Sequence, residues 1–294
     1  GGVIGTARSE LTGFGTQNAG LVAGGLVGAP NYSACSEEYN GVSWSEGNDL
    51  INVRGNVQSA GFGTQNAGVV AGGFVNSPGS TALTEQYDGT TWSAGGALGD
   101  SGYGIAATGT QNAGIAADGH YRAAGDTELY NGTTWSETTA KINSSPVATA
   151  AGLQGSAIII GGQAPGTETE HWDGSAWSVG GTLINSKISA AAAGTQNAAL
   201  AYGGSYSAGA SFGVAEQYDG TSWKQSDTMI VPRSYATGFG LQGSALAVGG
   251  NSSPGTRVTC NEHYNAEYTN TGSFGRVNAG RFAGDATKIS SSLA

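Results

Sequence analysis

The chain has 294 residues, with 11 Lys or Arg against 21 Asp or Glu and a formal net charge of −10. That balance argues against nucleic-acid binding through a basic surface, since neutralising phosphates supplies most of such affinity. No run of 18 apolar residues is present to span a membrane. Fifty-three glycines would fit a low-complexity chain, but there are only six prolines, and the glycines and aromatics recur in register.

The recurring stretch is Gly-Thr-Gln-Asn-Ala-Gly followed by a short apolar run and a glycine pair, first seen at residues 15–25. It returns at 63–73 and, less strictly, four more times, centred on Gln17, Gln65, Gln111, Gln154, Gln196 and Gln242. Successive copies are 48, 46, 43, 42 and 46 residues apart, a period typical of solenoids and propellers. With no initiator Met and no signal-peptide pattern at its start, the chain reads as a processed or excised piece.

Each repeat divides into four short strands. The first is small and apolar, as in Ala190-Ala-Ala-Ala, which suits an innermost strand crowded at an axis. The Gln-Asn turn follows; Gln17, Asn18 and their counterparts are expected to bond backbone at that turn. The second strand is the continuous apolar run before the glycine pair, buried on both faces. The third carries Glu-x-aromatic: Glu37/Tyr39, Glu85/Tyr87, Glu128/Tyr130, Glu170/Trp172, Glu216/Tyr218 and Glu262/Tyr264. Strand periodicity puts the Glu and the aromatic on one face, where the carboxylates suit inter-blade hydrogen bonding. The fourth strand starts at Trp44, Trp92, Trp135, Trp177 or Trp223, after an Asn-Gly or Asp-Gly turn.

These offsets resemble the Kelch motif: a glycine pair closing the second strand, an aromatic in the third, and a Trp opening the fourth. The resemblance implies an all-β, six-bladed β-propeller with four-stranded blades, in which stacking buries faces that one blade cannot bury alone. Two repeats depart from the pattern. The third has Asp118-Gly119 for the glycine pair, read as drift, and the sixth has Thr269 where the Trp is expected. Gly1-Gly2 stands where a glycine pair follows the Trp in other repeats, so a segment upstream is expected to supply the sixth blade's outer strand. The propeller is placed at residues 1–272 and an extended exit segment at 273–294. That segment resembles the repetitive linkers of bacteriophage tail-fibre and appendage proteins.

Function is sought on the second-to-third-strand loops, residues 26–36, 74–84, 120–127, 163–169, 205–215 and 251–261. They vary in length and content on a constant scaffold, which is where recognition usually lives. Tyr32, Tyr121, Arg122, Tyr206, Phe212 and Arg257 are the candidate binding residues, since aromatic faces beside polar groups suit a sugar or a protein surface. The six repeat Glu and five repeat Trp residues are assigned structural roles. His171 and His263 fill the variable middle of Glu-x-aromatic, read as a solvated strand face, and no His or Cys cluster offers a metal set. Cys35 and Cys260 are read as two small packed thiols, not a bridge.

The expectation is a non-enzymatic adhesion propeller without metal or cofactor, on a virion (a phage fibre or appendage) or another extracellular assembly. Its partners would be a host-surface glycan or protein and other virion proteins, with homo-oligomers formed through the C-terminal segment. The alternatives are a secreted carbohydrate-binding or carbohydrate-active propeller and an intracellular Kelch interaction module.

Overall fold

The computed structural model describes residues 2–75, 79–163, 165–206, 210–252 and 256–266, together with the backbone of 272–275. It is a six-bladed β-propeller: six antiparallel sheets of four strands each, with no helix among the described residues. Blade 1 comprises Thr12–Thr16, Ala19–Ala23, Ser36–Tyr39 and Trp44–Glu46. The next four blades repeat that order, and their innermost strands begin at Gly61, Ala106, Thr149 and Ala191. The second strand is buried along nearly its whole length in every blade, as its unbroken apolar run requires.

Blade 6 consists of Thr237–Leu241, Ser244–Val248, Asn261–Ala266 and Gly272–Gly275. The last of these corrects the expectation of a strand from upstream, because the outer edge is already paired: Tyr264 lies opposite Phe274. In blade 1 the same register places Tyr39 opposite Trp44. Phe274, not Thr269, therefore holds the register position of the repeat Trp; Thr269 itself lies outside the described residues, as do residues 276–294 of the expected exit segment. Gly2 donates to Val42 O at 2.9 Å just as Gly96 donates to Thr133 O at 3.1 Å, so the N-terminal residues act as the connector entering blade 1.

The turn glutamines, expected to bond backbone at their own turns, bond the preceding blade instead. Gln65 Nε2 donates to Gly20 O and Tyr39 O of blade 1, at 3.0 and 2.9 Å. Gln111, Gln154, Gln196 and Gln242 reach back one blade in the same way. Gln17 reaches Ala245 O and Tyr264 O of blade 6, so the ring is closed by the same staple.

The middle residue of Glu-x-aromatic is a second inter-blade contact, which corrects its reading as a solvated face. Tyr87 Oη donates to Glu38 of the preceding blade at 2.5 Å, and Gln217 Nε2 meets Tyr264 Oη at 2.5 Å. Gln86 bonds Tyr130 Oη, and His263, only 5 % exposed, meets Tyr39 Oη at 3.1 Å. Where the next blade carries a Trp with no hydroxyl to satisfy, at Trp172, the residue is Leu129, packed into that cluster. In these five blades the position is matched to the aromatic it faces; in blade 4 His171 only packs edge-on against Tyr218, with ring centroids 5.4 Å apart.

Candidate functional site

The variable loops share a face with the connectors that lead into each innermost strand, and the six repeat glutamates hold those connectors. Glu85 accepts from Ile51 N at 2.6 Å, from Asn52 N at 3.2 Å, and from the guanidinium of Arg54. Glu37, Glu128, Glu170, Glu216 and Glu262 each take a connector N–H and a cation in turn. The cations are Arg8, Arg122, Lys141, Lys187 and Arg233. All are buried, at the one place a small core tolerates charge: paired and hydrogen-bonded.

Arg122 is thus not a surface residue. The connector into blade 3 has Gly102 where the connector into blade 2 has Arg54, and Arg122, from blade 3's own loop, fills the space against it. It pairs with Glu128 at 2.7 Å and Asp126 at 2.6 Å. Asp118, likewise, is more than drift. Its carboxylate accepts from Ser144 Oγ at 2.9 Å and from Ser145 N, and lies 3.7 Å from Lys141, the displaced cation of blade 4. Two connectors lack the cation at the place Arg54 holds: in blade 3 a loop side chain, Arg122, replaces it, and in blade 4 Lys141, earlier in the same connector, does.

The loops themselves are tied laterally. Single β-bridges join Ser33 to Arg54 and Thr81 to Gly102, a loop to the next blade's connector, and Gly55 to Phe74 and Tyr103 to His120, a loop to its own blade's connector. On this support runs an aromatic tract across blades 1 to 3. Tyr32 contacts Phe74 with ring centroids 5.9 Å apart, and Phe74 meets Tyr103 edge-on at 5.5 Å. Tyr103 stacks on His120 at 4.8 Å and touches Tyr121 at 5.7 Å. Tyr121 is 73 % exposed; Tyr32, Phe74, Tyr103 and His120 are half-buried. Burial holds His120 below the usual imidazole range against the opposing pull of Asp118.

The remaining candidates lie elsewhere. Tyr206 stacks on Phe212 at 4.5 Å in blade 5, but Phe212 is buried beneath it, with Lys187 Nζ 4.9 Å from its ring centroid. Phe212 is therefore a support and Tyr206 the exposed part. Arg257 is half-buried in blade 6's loop. Cys35 and Cys260 are free thiols, and Cys260 Sγ accepts from Arg233. Phe74 and Tyr103 were not among the residues singled out in the sequence. Phe74 directly follows a glycine pair and Tyr103 sits in a connector, and only lateral packing brings them to Tyr32 and Tyr121.

Comparisons with known proteins locate the fold. No family model matches the chain, and no curated protein does. Among solved structures, one titled "Structure of YjhT" superposes with a TM-score of 0.78 over 93% of this chain and 99% of that one, at 13% sequence identity. At that identity the likeness shows the propeller fold alone.

Proposed function

We propose that this chain is a non-enzymatic recognition module, a Kelch-like propeller displayed on a virion or other extracellular assembly, whose loop face engages a surface glycan. The aromatic tract from Tyr32 to Tyr121 carries this reading. It is a row of rings with partly exposed faces, held on bridged loops that lose little freedom on binding, and flat aromatic faces suit the apolar faces of sugar rings. The repeat cations, by contrast, are consumed in holding the scaffold, which leaves an acidic, cation-poor exterior suited to a neutral ligand.

A glycan array probed with the labelled protein, followed by attachment to host cells, tests this. Binding to one or more glycans, weakened at least tenfold in Tyr121→Ala or Tyr32→Ala, is expected. Absence of binding to any glycan, or full binding by both variants, would refute the reading.

A further inference from the structure

The axis is closed on the loop face by a circle of backbone hydrogen bonds between connectors. Glu10 N donates to Tyr235 O, Tyr235 N to Ser189 O, Ser189 N to Val147 O, and Val147 N to Gly104 O, at 2.9, 3.0, 3.1 and 2.8 Å. Gly104 N then donates to Asn56 O, and Val57 N to Glu10 O, both at 3.1 Å. Every carbonyl in this circle belongs to a residue with positive φ, between 52° and 64°. The side chains these residues carry differ by sector. Val147 and Ser189 are buried; Tyr235, Glu10 and Asn56 form a polar, half-buried arc on blades 6, 1 and 2.

That arc contains groups whose bonding is incomplete. Glu10 Oε2 is shielded from solvent and has no hydrogen-bond partner, although the other carboxylate contacts include the backbone N–H of Asn56. Arg257 acts on Glu10 by its charge without forming an ion pair, and its own Nε is buried and unpartnered. Asn56 and Glu10 both act on the Tyr32 hydroxyl, and Glu10 acts on Tyr103 as well. An unmet buried carboxylate oxygen and an unmet guanidinium N–H each carry a desolvation cost that a ligand hydroxyl could relieve, since a hydroxyl both donates and accepts. One negative and one positive group together favour a neutral ligand over an anion.

We infer that the axial mouth formed by Glu10, Asn56, Tyr235 and Arg257 is a subsite for one neutral sugar ring. Glu10 turns to accept from one hydroxyl, Arg257 donates to another, and the ring lies beside Tyr32 and Tyr103, at the start of the aromatic tract. This rests on the glycan reading above and adds the residues that would select hydroxyl geometry.

The test is saturation-transfer NMR of the whole chain with the methyl glycosides of glucose, galactose, mannose and N-acetylglucosamine, beside the glycan array. Wild type should bind at least one glycoside, and Glu10→Gln and Arg257→Met should each bind it at least tenfold more weakly. Glu10→Gln should melt no lower than wild type, since it removes an incompletely paired buried charge, so lost binding would not reflect lost fold. Variants that keep wild-type affinity, or a wild type that binds array glycans but none of the four glycosides, would overturn the subsite alone. A chain that binds no glycan in either experiment would overturn both the subsite and the glycan reading.

Discussion

Phe14, on the innermost strand of blade 1, lies against the Cα of Gly68 in blade 2; a Cβ at that glycine would stand 2.1 Å from Phe14 Cε2. The same relation joins Phe62 to Gly114 and Phe239 to Gly20. Where the inner strand instead carries a small residue, as at Thr108, Ala151 and Ala193, the facing position is Ala157, Ala199 or Ala245. Size is thus matched across every interface of the ring. Replacing Gly68 by Ala should destabilise the fold by about 1–3 kcal/mol through overpacking. Adding Phe14→Ala should restore part of the loss, because the pair would then reproduce Ala151 and Ala199. A urea titration of the single and double variants checks this; an additive double variant would show that the two positions are not coupled.

The invariant Glu and the migrating cation predict unequal costs. Arg54→Met leaves Glu85 with its connector N–H donors and should cost roughly 3 kcal/mol. Glu85→Leu leaves the buried Arg54 without its counter-charge, though still bonded to Gly72 O and Leu83 O, and orphans those backbone donors as well, so it should cost more. Equal losses in chemical denaturation would refute this ordering.

His263 makes the closing interface sensitive to acid. Burial pushes its folded pKa down to about 4 from an ordinary value of 6.5. Below pH 6.5 the unfolded chain takes up a proton that the folded site resists, so this contribution is full above 6.5 and is lost as pH falls toward 4. His263→Gln, the residue that blades 2 and 5 use at this place, should lose less stability between pH 7 and 4.5 than wild type does. The check is the urea midpoint of both proteins at the two pH values.

Leu129 and Trp172 should behave as a pair. Leu129→Gln buries an amide against a ring with no hydroxyl and should cost on the order of 1–3 kcal/mol. Trp172→Tyr in the same chain would supply a hydroxyl partner, so the double variant should be more stable than the sum of the single losses allows. A double-mutant cycle by thermal melting would expose an absent coupling.

Much of the architecture was legible in the repeat itself. The period, the glycine pair, the Glu-x-aromatic and the Trp each answer a local demand: a tight turn, a doubly buried strand, a cross-strand ring pair. Local demands leave local signals. Hence six repeats of four short strands and the position of the variable loops could be read from spacing, and the propeller from the resemblance those offsets carry; the repeat glutamates, expected to bond between blades, instead hold the connector entering their own blade.

What neighbours decide could not be read that way. Arg122 has the composition of a surface residue until Gly102 is seen to leave a cavity beside Glu128. Asp118 looks like noise until Lys141 approaches from the next connector, and His263 looks solvated until Tyr39 closes the ring on it. The outer strand of blade 6 required the pairing of Tyr264 with Phe274 to be identified, since a longer connection hides the register. The aromatic tract combines rings from a loop, a residue after a glycine pair, and a connector, which share no spacing. In a propeller each blade is specified by its own sequence, whereas the contacts between blades join residues about forty positions apart, and only the closed ring brings them together.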